Sequence, residues 1–318
     1  MKIPEYNNLD EKKNIFNTRH IISSVDELNN FLNSTICLKG FIYRGVCEAK
    51  YKNYTSAQRT FMTNDLTITS INIEDLIQKQ IESVRREHKS LLSKYYKSLN
   101  IFPNDFLYLS IAQHYGGISP LLDFTTDFKT ALFFMVDGVV TPSSGFDDIG
   151  NYSSLYYVKI SELHSLTSLF NEVTIDVSKK INELASNGKI DINIQNDIIT
   201  LLADFEHFKN NKNQPPLFIP NQRVGYSIQV AGKKQKLSGV FSISNLNIVA
   251  QKGCFVFYMP KGCIKLSPFE TNLHCVDIHK SLIPCIKEYI RLEKNNIYPN
   301  EYEMVRDSYN KALRNILR

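Results

Sequence analysis

Strand-like and helix-like segments do not alternate along this chain, and that order excludes a doubly wound parallel sheet before any motif is read. Ser24-Val25-Asp26-Glu27 has the form of a capping box and opens a short helix to about Leu32. The segment ICLKGFIYRG reads as a strand ending at Gly45. From Asn72 onward, Ile73, Ile77, Ile81, Val84, Leu91, Tyr95 and Leu99 recur at steps of three, four or seven, which predicts one long amphipathic helix stopped by Phe102-Pro103. His88 falls on the same stripe and reads as a core histidine.

A second helix is expected over 104–115, ended by Gly116-Gly117. Thr125 or Thr126 is then placed to cap the helix DFKTALFFMVD, which stops at Gly138. SSLYYVKI, GYSIQV and CFVFYMP read as strands, and 161–213 as mostly helical. TPSSGFDDIGN and the stretch around 210–216 read as loops, and 278–292 and 298–317 as two closing helices. The expected fold class is α+β, with a small mixed or antiparallel sheet core flanked by helices. Residues 22–318 are expected to form a single domain with a helical insertion around 161–215, and residues 1–21 a polar, loosely held N-terminal arm.

Composition narrows the function classes. The net charge of +5 is mild, and its densest basic stretches, Arg85/Arg86/Lys89 and Lys233/Lys234/Lys236 in an expected turn, are short enough to be solvated faces. Nucleic acid is therefore not the expected partner. The six cysteines show no CxxC spacing, and the cluster His274, Cys275, His279 has no second cluster to complete a metal site, so no metal is expected. The N-terminal MKIPEYNNLDEKKN has no apolar signal core, and ALFFMV is far too short to span a bilayer, so a cytoplasmic, reduced-thiol setting is expected with no membrane partner.

Three motifs carry the candidate chemistry. Phe41-Ile42-Tyr43-Arg44-Gly45 sets a guanidinium at a strand end, where its planar fork suits a phosphate or carboxylate, with Gly45 allowing close approach of backbone or ligand. Gln113 and His114 stand in the last turn of a helix, and a short connection brings in Asp123, Thr125 and Thr126 before the next helix. A helix N-terminus there would favour an anion. The structural alternative for Asp123, Thr125 and Thr126 is helix capping, and for His114 a favourable place at the negative end of a helix dipole. The third motif, NLNIVAQKGCF, reads as a loop or strand start, a tight turn at Gln251, and a buried strand. No GxGxxG follows a strand and no GxxxxGK[ST] occurs.

Taken in order, YRG, AQHYG…LLDFT…ALFF and AQxGxF resemble the FRG domain family of bacterial and phage proteins, as does the tail RLEKNNIYPNEYEMVRDSY, over roughly residues 22–310. The chain departs from that pattern at Gly117-Ile118-Ser119-Pro120, where the family has Leu-Pro-Thr-Arg, at Phe124 in place of Trp, and at Asn247 in place of an Arg. Two cations are thereby lost, and more weight falls on Arg44.

The same order of features is similar to Arg-Ser-Glu-type ADP-ribosyltransferases. That resemblance implies NAD as substrate, with Arg44, Gly45, Gln113, Thr125 and Thr126 on the ligand side and Asp123, His114 and Gln251 on the catalytic side. The family-like position of the catalytic carboxylate holds Gln251, and Asp123 is its best substitute. The implied activity is ADP-ribosyl transfer to a protein target or NAD hydrolysis, in phage defence or a toxin-like system. The alternative is a non-catalytic sensor that binds a nucleotide, another small molecule or a partner protein.

Overall fold

A computed structural model describes residues 2–34, 40–66, 71–98, 101–139, 148–186, 190–209, 216–230, 232–243, 245–259, 266–270, 272–292 and 297–298. In chain order the strands and helices are Thr18–Ile22 (β1), Val25–Leu32 (α1), Phe41–Val46 (β2), Ser56–Thr63 (α2), Ile73–Ser98 (α3), Asp105–His114 (α4), Leu121–Thr125 (β3) and Phe128–Val136 (α5). Tyr152–Lys159 (β4), His164–Ser165 (β5), Leu166–Leu184 (α6), Ile192–Leu202 (α7), Phe205–Lys209 (α8), Leu217–Ile219 (β6), Val224–Val230 (β7) and Lys233–Gly239 (β8) follow. Leu246–Ala250 (α9), Gly253–Phe257 (β9), His274–His279 (β10) and Ile283–Ile290 (α10) complete the described elements.

The fold is α+β, as the element order predicts. Its sheet is larger than the small core expected: eight strands in the order β1-β10-β4-β2-β3-β9-β6-β5, with β7 and β8 forming a separate hairpin. β1 runs parallel to β10 and β5 parallel to β6, while the other neighbours are antiparallel, so the sheet is mixed. Between β2 and β3 the ladder thins to one pair, Tyr43 opposite Thr125. This seam divides the sheet into two halves.

Each half has its own core. Tyr43, Leu155, Tyr157, Val276 and Ile278 of the β1-β10-β4-β2 half pack with α1, α5 and α10. Leu121, Phe255, Phe257, Leu217 and Ile219 of the other half pack with α3, α4, α6 and α7. A third cluster, with Ile42, Tyr156, Val158, Leu122, Phe124 and Cys254, spans the seam and is covered by Tyr6, Phe16 and Phe269. The seam thus has apolar cores on both sides and a continuous layer beneath.

Several local expectations hold. Ser24 and Glu27 form a full capping box on α1. Ile73, Ile77, Ile81 and Val84 of α3 are all buried. Gly116 has φ +78°, and Gly117 donates its N–H to the Ala112 carbonyl at 2.6 Å, ending α4 where the Gly-Gly pair predicts.

Others are corrected. The cap of α5 is Asp127, whose carboxylate accepts the Thr130 N–H, and Thr125 belongs to β3. Residues 246–250 are a short helix capped by Asn245 rather than a loop. Lys233, Lys234 and Lys236 lie in β8, not in a turn. Residues 274–279 are a central strand, so the helix expected from 278 begins at Ile283. The expected second closing helix, the loop residues 140–147 and 210–215, and Cys37 and Cys263 lie outside the described residues, as do the side chains of His88, Lys89, Leu91 and Tyr95.

The N-terminal arm is not loosely held. Lys12 is wholly buried, with Nζ donating to Ser154 Oγ at 3.0 Å and to the Asp277 carboxylate, and Arg19 Nε reaches the other Asp277 oxygen at 3.0 Å. Tyr6, Phe16 and Tyr156 surround the ammonium at 5.5–5.8 Å from their ring centroids. Despite the cost of burial, these neighbours hold Lys12 above the usual lysine range.

Candidate functional site at the seam of the sheet

A cleft of about 450 Å³ opens at the β2–β3 seam, lined by Tyr43, Arg44, Gly45, His114, Asp123, Thr125, Gln251 and Tyr298 among others. Its size is in the range of small-molecule sites. Gln113 and Thr126 do not line it, but Gln113 reaches in, donating Nε2 to Asp123 Oδ2 at 2.8 Å.

β2 brings in Arg44 and Gly45 side by side on opposite faces. Arg44 Nε donates to Asn53 Oδ1 at 3.2 Å and Nη1 to the Asp123 carbonyl at 2.8 Å. The guanidinium therefore bridges the seam and is held in one place before any ligand arrives. Gly45 faces α5, where the two backbones meet, so its close approach is to protein.

β3 brings in Asp123 and Thr125. The Asp123 side chain is exposed on the cleft side, while Thr125 is buried and donates Oγ1 to the Gln251 carbonyl at 2.6 Å. Thr125 Oγ1 also accepts the Asp127 N–H at 3.0 Å. The exposed Thr126 donates its N–H to the Lys252 carbonyl at 3.1 Å. Lys252 has φ +46° and its Nζ pairs with Asp127 Oδ1 at 2.6 Å, closing this turn against the start of α5. The two threonines thus tie the Gln251 turn to β3. Gln251 itself donates Nε2 to the Ile297 carbonyl at 3.3 Å.

Residues 39–142 match the family model of the FRG domain. The chain carries an FRG domain. Searches among curated proteins and among solved structures gave no match. The FRG match begins just before β2 and ends past α5, so it contains Arg44, Gly45, Gln113, His114, Asp123, Thr125 and Thr126. Gln251 lies outside it and is brought to the FRG residues by the β3–β9 pairing, in which Thr125 stands opposite Gly253.

The electrostatics of the FRG site turn on desolvation around one exposed acid. Burial pulls the Arg44 guanidinium below its usual value and Asp123 opposes that pull. A guanidinium so far from neutrality stays charged in any case. Burial also lowers the His114 imidazole, again against Asp123. His114 Nε2 accepts from Asn245 Nδ2, which requires the unprotonated nitrogen there. That acceptor is occupied, so His114 forms a wall and a positioning contact unless the Asn245 bond opens.

The sequence reading did not single out two polar residues of this FRG region. Asn53 is buried and holds Arg44, and Arg59 of α2 donates Nη1 to the Tyr54 carbonyl at 3.1 Å close to the Arg44 charge. Neither has a local signature, since each reaches the site only through the packing of the 47–55 connection and α2. Among the described residues no cluster of three or more His, Cys, Asp or Glu could hold a metal, and no helix is long and apolar enough to cross a membrane. His274 and Cys275 of the earlier cluster are spent elsewhere, on Thr18 and on Asp277.

Proposed function

We propose that the seam cleft binds a nucleotide-type ligand, NAD foremost, and breaks the bond between nicotinamide and ribose. One observation carries this reading: Arg44, Asp123, Thr125 and Gln251, distant in sequence, converge on a single opening of about 450 Å³. The Arg44 fork, fixed by Asn53 and the Asp123 carbonyl, suits a phosphate oxygen. The Asp123 carboxylate, the only acid lining the cleft among the described residues, would face the positive charge that develops on the ribose C1′ carbon.

In this reaction the C1′–N bond breaks and its electron pair leaves with nicotinamide, neutralising the pyridinium ring. Water adds to C1′ and gives up a proton, so NAD and water become ADP-ribose, nicotinamide and H⁺. A protein nucleophile in place of water gives ADP-ribosyl transfer. Thr125 and Thr126, committed to the Gln251–Lys252 backbone, shape the pocket. An activity that consumes NAD suits a toxin-like or phage-defence role.

A second reading, a non-catalytic nucleotide or partner sensor, is favoured by one contact. Gln251 supplies no acid, and its amide is bound to the Ile297 carbonyl. Nicotinamide release and thermal shift with NAD, on wild type, Arg44→Ala and Asp123→Asn, decide between the two. Release that both variants lose supports cleavage. Stabilisation without release supports the sensor, and neither effect removes NAD from consideration.

A further inference from the structure

We propose that Arg59 of α2 is a second ligand-binding cation, and that Arg44 and Arg59 together grip a diphosphate group at the rim of the cleft. The proposal rests on the nucleotide-binding reading above and names the part of the ligand that the site holds.

Consecutive residues place the two guanidiniums. Asn53 Oδ1 accepts from Arg44 Nε at 3.2 Å, and the next carbonyl, of Tyr54, accepts from Arg59 Nη1 at 3.1 Å. α2 is pinned to the connection that leads from α4 into β3. Ala57 N donates to the Ser119 carbonyl at 3.0 Å, and Ser56 Oγ donates to the Gly117 carbonyl at 3.0 Å. Ser56 Oγ also meets Gln113 Oε1 at 3.3 Å, and Gln113 holds Asp123. Arg59 thus stands on the same bonded framework as Arg44 and Asp123, exposed, outside the lining of the cleft and near enough to feel the Arg44 charge, and on this the proposal sets it at the rim.

This corner has more donors than acceptors. Arg44 commits Nε and Nη1, and Arg59 commits only Nη1. Among the described residues nothing accepts from Nη2 of either side chain or from Nε of Arg59. Asn53, 2% exposed, leaves its Nδ2 without an acceptor as well. Against two guanidiniums stands one carboxylate, Asp123, already bonded to Gln113. Desolvation and the like charge of Arg44 both disfavour the charge on Arg59, with Asp123 working against them.

Two like charges placed by consecutive residues and opposed by a single acid form a site for an anion. Each guanidinium offers a planar edge that fits a phosphoryl group, so a pair of them fits two linked phosphoryls better than one. The free Nη2 groups are the donors such a ligand would take. The rim position leaves the interior of the cleft, with Asp123 and Tyr298, for the remainder of the ligand.

Calorimetric titration of inorganic pyrophosphate, inorganic phosphate, ADP-ribose and NAD into wild type, Arg44→Ala, Arg59→Ala, Arg59→Lys and Arg59→Glu tests this. Unchanged melting temperatures of the free variants establish folding, which the exposed position of Arg59 favours. The expected result is pyrophosphate and ADP-ribose binding that weakens at least tenfold in Arg59→Ala, is abolished in Arg59→Glu and is partly kept in Arg59→Lys, with inorganic phosphate bound more weakly throughout. Pyrophosphate binding indifferent to Arg59, or equal affinity for phosphate and pyrophosphate, overturns the diphosphate subsite. If pyrophosphate binds through Arg59 but NAD and ADP-ribose do not, the subsite stands and the NAD reading falls. If NAD is bound and cleaved equally by wild type and Arg59→Ala, the subsite falls and that reading stands. Absence of binding by every anion overturns both.

Discussion

Gly45 of β2 and Ala131 of α5 meet backbone to backbone: a Cβ built at Gly45 would lie 1.9 Å from the Ala131 carbonyl oxygen and 2.7 Å from the Met135 nitrogen. Neither neighbour is a side chain that can swing aside. The glycine after Arg44 is therefore what lets α5 sit flat on the strand that presents the arginine.

Gly45→Ala should accordingly destabilise the protein by about 3 kcal/mol or more, at or beyond the usual cost of overpacking, because backbone must shift on both sides. Urea denaturation of the variant, or its loss from the soluble fraction, measures this. A variant as stable as wild type would mean that β2 and α5 are farther apart than described.

The buried pair Lys12–Asp277 makes a second prediction, since both side chains are fully shielded from water. Lys12→Met leaves Asp277 with Arg19 as its only ionic partner among the described residues and should cost about 3–5 kcal/mol. The double variant Lys12→Met with Asp277→Asn should recover only part of that loss, because the buried carboxylate is gone but Arg19, its side chain 10% exposed, then lacks its carboxylate partner. Equilibrium unfolding of the two single variants and the double variant supplies the comparison.

His114 contributes a pH dependence of known sign. Its folded pKa is depressed by burial, so the unfolded chain binds the proton more readily. The contribution is complete above the unfolded value of about 6.5 and is lost as pH falls from there through the folded value. Wild type should therefore lose more stability than His114→Gln between pH 7 and pH 5. His274 and His279 are depressed in the same direction and remain in both proteins, so the difference between the two profiles reports His114. Titration of the imidazole by NMR would show the depressed value directly.

Asp123→Asn separates binding from chemistry. The amide keeps the shape of the side chain and leaves the Asp123 backbone carbonyl for Arg44. On the cleavage reading, nicotinamide release should fall by about 10²–10³ while NAD still stabilises the protein. Equal loss of binding and turnover would instead give Asp123 a part in holding the ligand.

Arg44→Lys keeps the charge but not the fork. Since Arg44 uses Nε and Nη1 internally and has Nη2 left for a ligand, lysine cannot do both. Binding of NAD or ADP-ribose should weaken about tenfold or more, read by titration at fixed ionic strength.

What the chain order alone determined is local. The capping box at Ser24, the stripe Ile73–Ile77–Ile81–Val84 and the Gly116-Gly117 stop depend on residues a few positions apart, and each is found where the pattern places it. The lack of strand–helix alternation likewise excluded a doubly wound sheet, and the mixed sheet agrees with it. Tertiary structure decided the rest. Thr125 has the residue type and place of a helix cap, and only the pairing of β3 with β9 assigns it to the sheet and leaves Asp127 as the cap. β1 and β10 pair across some 256 residues, and Lys12 is buried because Asp277, 265 positions away, meets it there. Arg59 carries no motif and enters the site only because α2 is pinned to the α4–β3 connection. Short-range patterns report backbone geometry; a buried charge or a second cation at a rim is set by which distant groups desolvate and face it.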